Sequence, residues 1–216
     1  MKKDIYFIRH GETLMNSRHV HQHYDEPLSE EGQGQAQVVA EFVKTLGITE
    51  LITSPFTRAR QTATYIGELL DLPYTIDTVV HETIRPSYLY GTPHFSFSTY
   101  RYISNLFLHR LSDVWNDNDG ENMFDVRNRV HDAKDMIMEL ESDSMAIVSH
   151  AVFIDMFIHL VCAENGMNIF RFVHMVAFMK KMPNTSIAHI QYIPDAPVGV
   201  CKWQFVQLIT PKEFDK

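Results

Sequence analysis

The chain has 216 residues, 45% of them hydrophobic and 21% charged, with a formal net charge of −8 at neutral pH. That length and apolar content suffice for one core spanning residues 1–216, with room for a modest insertion. The acidic balance, without any run of Lys or Arg, argues against a nucleic-acid partner and predicts that a bound phosphate would sit in a local pocket.

The first apolar run, Asp4-Ile5-Tyr6-Phe7-Ile8, predicts a short strand that ends in Arg9-His10-Gly11-Glu12-Thr13. It is too short for a signal segment behind Met1-Lys2-Lys3, and Asp155 and His159 interrupt the most apolar helix, so the expectation is a cytoplasmic chain with no membrane partner. Ser29-Glu30-Glu31-Gly32 reads as a helix start, followed by Ala36, Val39, Ala40, Val43 and Leu46 at three- and four-residue spacing. Residues 50–53 form the next strand, ended by Ser54-Pro55, and Ala59, Ala63, Ile66 and Leu70 stripe the helix after it. A third strand is predicted over 74–80.

From Arg85 to Gly120 aromatic residues crowd the chain, which predicts an insertion or cap, helical from about 97 to 115. Val126, Val130, Ala133, Ile137 and Leu140 stripe a further helix, and Met145-Ala146-Ile147-Val148 is a buried strand stopped by Ser149-His150. In the helix from Ala151, Asp155 and His159 read as its exposed edge. The apolar stretch Phe170 to Phe178 reads as core or interface, and nothing in the sequence fixes the oligomeric state. Strands over 186–193 and 201–209 close the chain, and Cys162 and Cys201, far apart in sequence, read as free thiols. The element order predicts a three-layer α/β fold, a mainly parallel sheet with helices on both faces and an antiparallel pair at the end.

In such a sheet the carboxyl ends of the parallel strands share one rim, so Arg9-His10, Ser54 with Arg58, and Ser149-His150 can converge. Two guanidiniums and two imidazoles there would suit a phosphate oxyanion, Arg offering forked donors and a neutral imidazole nitrogen offering a nucleophile towards phosphorus. Glu82 is the candidate acid for the leaving oxygen. His19, His21 and His23 alternate and could face one way around a divalent metal, but an exposed polar loop is the preferred reading, and neither metal nor cofactor is expected.

Arg9-His10-Gly11-Glu12-Thr13 with Asn16, Asp25 to Gly32, Ser54-Pro55-Phe56-Thr57-Arg58-Ala59-Arg60-Gln61-Thr62-Ala63, Glu82, Gly120-Glu121 and Ser149-His150 together resemble the histidine phosphatase superfamily, in its phosphoglycerate-mutase-like branch. The resemblance implies that His10 is phosphorylated, that Arg9, Arg58 and His150 form the phosphate pocket with Asn16 also touching the phosphoryl group, and that Glu82 donates and accepts the proton. The substrate implied is a small phosphorylated molecule. The segment Thr83 to Gly91 resembles phosphatase-like members more than glycolytic mutases, so a phosphomonoesterase is expected, with a phosphoglycerate-type mutase or, less so, a non-catalytic phospholigand-binding protein as alternatives. Ala151-Val152 stands where the family often has glycines.

Overall fold

The computed structural model describes residues 1–162 and 182–214. Strands β1 (Lys3–Arg9), β2 (Glu50–Thr53), β3 (Tyr74–Ile76), β4 (Ser144–Ser149), β5 (Ile187–Tyr192) and β6 (Trp203–Ile209) make one sheet in the order β3-β2-β4-β1-β5-β6. The first four in that order run parallel, whereas β5 is antiparallel to β1, and β6 to β5. This is the expected mainly parallel sheet with an antiparallel pair at its end.

Alternation along the strands explains the layers. Ile5, Phe7, Met145 and Ile147 point to one face, where they bury against α5 (Met123–Glu139) and α6 (Ala151–Leu160). Ile8, Ala146 and Val148 point to the other, against α2 (Glu30–Lys44) and α3 (Thr57–Leu70). Between β3 and α5, α4 (Phe97–Leu108) turns Tyr102 and Leu106 into the α5–α6 side of the core, while Phe97 and Leu108 stay exposed. The short helix α1 (Leu14–Ser17) follows β1, its start capped by Thr13.

Helix α2 starts where Ser29 Oγ accepts from the Gly32 N–H, with Glu30 and Glu31 at the positive end of the helix dipole. Gly32 serves a second purpose: a Cβ there would fall on the Glu12 backbone, and one on Gly11 would meet the Gly32 carbonyl. The two glycines let the first loop lie directly on the start of α2. Gly32→Ala is therefore expected to destabilise the protein by about 1–3 kcal/mol or more, read as a lower urea midpoint at unchanged m-value.

Several expectations are corrected. The third strand stops at Ile76, because the Asp77 carboxylate accepts from the Val79 N–H at 2.9 Å and winds Thr78–Val80 into a 3₁₀ turn, so Glu82 follows that turn rather than a strand. The helix expected to run to 115 ends at Leu108; the chain folds back so that Trp115 stacks on His109 with ring centroids 4.5 Å apart. Asp155 is fully buried, not at an exposed edge, and pairs with His159 at 3.0 Å. Cys162 and Cys201 are joined in a disulfide, with Cα atoms 5.9 Å apart, where free thiols were expected. The end of α6 lies over the start of β6, as the packing of Phe157 on Trp203 shows, a proximity that separation in sequence hides. With that bond, cysteine usage no longer argues for a reducing compartment. No helix among the described residues is long and apolar enough to cross a membrane. The stretch Phe170 to Phe178 lies outside the described residues.

Candidate active site

The register places three strand ends at one level: Arg9 pairs with Ser149, and Thr53 with Val148. The chain leaves each strand still tied to its neighbour, His10 N–H donating to the Ser149 carbonyl at 3.0 Å and Ser54 N–H to the Val148 carbonyl at 2.9 Å. Residues 10, 54 and 150 therefore emerge side by side, and the His10 and His150 ring centroids lie 5.0 Å apart.

His10 is held in one tautomer. Its Nδ1 lies 2.7 Å from the Gly11 carbonyl, which only accepts, and its Nε2 lies 3.2 Å from Arg58 Nε, which only donates. Nδ1 carries the proton and Nε2 presents the lone pair. Burial, then the positive charges of Arg58 and Arg9, hold the imidazole well below its ordinary pKa, so it is neutral at pH 7. Burial likewise lowers His150, with Arg58 and His10 adding to the effect. The same burial brings Arg9 and Arg58 down to about 10, which leaves both guanidiniums charged.

Each of these groups is fastened by neighbours. Arg58, on the first turn of α3, donates from Nη1 to the His23 carbonyl at 2.9 Å and lies over the Phe56 ring. Thr62, a turn later, accepts from the Gly11 N–H at 3.1 Å and donates to the Arg58 carbonyl at 2.8 Å, locking the His10 loop to α3. His150 Nε2 and Ser54 Oγ share a hydrogen bond of 2.7 Å. Arg9 donates from Nη1 to the Met182 carbonyl. Arg9 Nε and His150 Nδ1 are buried with no hydrogen-bond partner among the described residues. Asn184 Nδ2 donates both to the His10 carbonyl at 3.0 Å and to Asn16 Oδ1 at 3.2 Å, so Asn16 is tied to the His10 loop through Asn184.

Glu82 reaches the start of α6. Its Oε1 accepts from the N–H groups of Thr83 at 2.9 Å and Phe153 at 3.2 Å, and Oε2 accepts from Val152 at 3.4 Å. Thus the carboxylate occupies the positive end of a helix whose own N-cap, His150, makes no side-chain cap. Behind it Arg129, which sequence reasoning missed, grips Glu121 of the Gly120-Glu121 block through two bonds of 3.0 and 2.8 Å, and donates to the His81 carbonyl at 2.7 Å. Glu121 in turn accepts from the Ile84 N–H at 2.8 Å, so both flanks of Glu82 are held. The available signal was Arg129 lying between Val126 and Val130 on the apolar face of α5. Arg129→Met should cost about 1–3 kcal/mol in urea unfolding, because it removes the counter-charge and two hydrogen bonds of the partly buried Glu121 carboxylate.

Beside Arg58 and Glu82 opens a cleft of about 430 Å³ whose walls include Tyr24, Phe56, Arg85 and Tyr90. The three loop histidines do not converge on a metal: His21 is buried with Nε2 2.8 Å from Thr99 Oγ1, contrary to the exposed-loop expectation, whereas His23 pairs with Asp25 at 2.6 Å.

The sequence profile of the histidine phosphatase superfamily (branch 1) matches residues 5–201. The chain belongs to that superfamily. Among curated members it is 32% identical over 150 residues to "Probable phosphoglycerate mutase GpmB" of Yersinia pestis (strain Pestoides F), a match covering 68% of this chain and 69% of that protein. Among solved structures, "Mycobacterial hydrolase 1" superposes with a TM-score of 0.74 at 20% identity, covering 96% of this chain and 98% of the other. A mycobacterial glucosyl-3-phosphoglycerate phosphatase does so with a TM-score of 0.71 at 21% identity, covering 95% and 97%. These two superpositions show a shared fold over nearly the whole chain.

Proposed function

We propose that the protein is a phosphomonoesterase that works through a phosphohistidine on His10. The observation that carries this reading is the fixed tautomer of a buried, neutral His10, with its Nε2 lone pair beside Arg58. In the first step Nε2 attacks phosphorus in line, the P–O bond to the alcohol breaks, and Glu82 delivers a proton to the departing oxygen. In the second, a water oxygen attacks the phosphohistidine, Glu82 takes a proton from that water, and the P–N bond breaks to return His10 and inorganic phosphate. Arg9 and Arg58 supply the positive charge for the equatorial oxygens, with His150 as a further polar contact, and Arg9 Nε and His150 Nδ1, buried with no hydrogen-bond partner among the described residues, are available to such an anion. Asn16, tied through Asn184 to the His10 carbonyl, would add a further contact to the phosphoryl group.

A second reading, a phosphoglycerate-type mutase, draws support from the names of the curated relatives. Both readings share the first step and differ in whether water or a retained hydroxyl receives the phosphoryl group. Incubation with 3-phosphoglycerate and a trace of bisphosphoglycerate separates them: phosphate release is expected, and rapid isomerisation with little release would favour the mutase. An acid-labile adduct on His10, trapped by quenching, tests the covalent step common to both.

A further inference from the structure

The disulfide between Cys162 and Cys201 lies in the wall of an open cavity of about 570 Å³. This cavity sits at the end of the sheet away from His10, where Trp203 pairs with Tyr192 and Tyr192 with Lys3. Its lining includes His131 and Lys134 of α5 and Lys202, next to Cys201, and none of the described residues that line it is acidic. Lys134 and Lys202 make no ion pair among the described residues. Asp132 and Asp135, beside Lys134 on α5, are exposed and outside the lining, as is Asp195 in the turn between β5 and β6. The bond therefore meets solvent through a positively charged opening, which raises the local concentration of anions.

The two sulfurs are not equivalent. Cys162 is exposed, and its Sγ lies 3.4 Å from the Trp203 carbonyl oxygen, whose partial negative charge disfavours a thiolate there. Cys201 is half-buried, and its Sγ accepts from the Trp203 N–H at 3.4 Å, which favours one. An incoming thiolate thus reaches Cys162, and Cys201 is the better leaving group. We infer that this bond is a thiol–disulfide exchange site for a small anionic thiol, which becomes joined to Cys162. The thiol loses its proton to solvent and attacks Cys162 Sγ; the Sγ–Sγ bond breaks, and its electron pair leaves on Cys201, in the cavity that Lys134 and Lys202 line. A second thiolate then attacks the outer sulfur of the adduct and frees Cys162. Two external thiols are oxidised to one disulfide while the protein's disulfide takes up the two electrons and, from solvent, two protons.

The test exposes the full chain, with its disulfide intact, to 2-mercaptoethanesulfonate, an anion, and to 2-mercaptoethanol, its neutral counterpart, at equal thiolate concentration. Freed thiols are alkylated rapidly and the adducts mapped by mass spectrometry. At low ionic strength the sulfonate should open the bond about fivefold faster, the worth of one charge pair a few ångströms apart in water, and added salt should shrink that preference. The external thiol should appear on Cys162 and the alkyl group on Cys201. Lys134→Gln combined with Lys202→Gln should bring the ratio of rates close to one. Lys202→Glu alone, at an exposed position where folding is not at stake, should also lower it. Equal rates with the two thiols in the wild type, a bond that neither thiol opens, an adduct found on Cys201, or a preference unmoved by these substitutions overturns the inference.

Discussion

His10→Ala is expected to reduce hydrolysis of any phosphomonoester by on the order of 10⁴-fold or more, because the step that splits one hard transfer into two easier ones disappears with the nucleophile. The cations around it remain, so phosphate and vanadate should still bind. Retained turnover in this variant would remove the covalent mechanism. The environment of His10 also fixes a direction on the pH axis. Burial, Arg58 and Arg9 hold its pKa well below 6.5, and a lowered pKa keeps Nε2 unprotonated into more acidic solution. The acid limb of kcat/KM, which reports the free enzyme, should therefore lie below pH 6.5. Removing one of the two positive charges, as in Arg9→Gln, should move that limb towards higher pH.

Glu82→Gln is expected to lower kcat by about 10²–10⁴-fold with alkyl phosphates, whose leaving oxygen needs a proton. With 4-nitrophenyl phosphate the leaving group departs as an anion, so the first step should survive while attack by water loses its base. The phosphohistidine should then accumulate and appear as a burst of nitrophenol followed by slow turnover. Equal losses with both substrates and no burst would place Glu82 outside proton transfer and leave it as the carboxylate that caps α6. Glutamine is the informative replacement because it keeps an acceptor for the Phe153 and Thr83 N–H groups.

The sheet was readable because each strand ends in a change of chemistry. Ile8 gives way to Arg9-His10, Thr53 to Ser54-Pro55 and Val148 to Ser149-His150, and parallel pairing then brings those ends to one rim. Features created by contacts across the fold were not readable in the same way. Arg129 and Glu121 are eight residues apart, but their effect falls on His81 and Ile84, which join them only when α5 packs beside the 3₁₀ turn. The disulfide likewise depends on where α6 ends above β6. The third strand was read too long because Thr78, Val79 and Val80 are β-branched, and the side chain of Asp77 outweighed their propensity.

The position of β4 in the sheet has a consequence for the life of the chain before it is finished. Strands β1 and β2 are not neighbours, and the place between them is filled by residues 144–149. During synthesis, the N-terminal segments can form α2 and α3 but cannot close the sheet on which those helices rest. His10 meanwhile remains an ordinary solvated imidazole, with neither His150 beside it nor the burial that sets its protonation. The proposed site thus assembles late, when β4 inserts and its following residue, His150, comes to face a histidine made 140 positions earlier. Such long-range pairing slows folding. A nascent or truncated chain lacking β4 would therefore carry no assembled form of the proposed site.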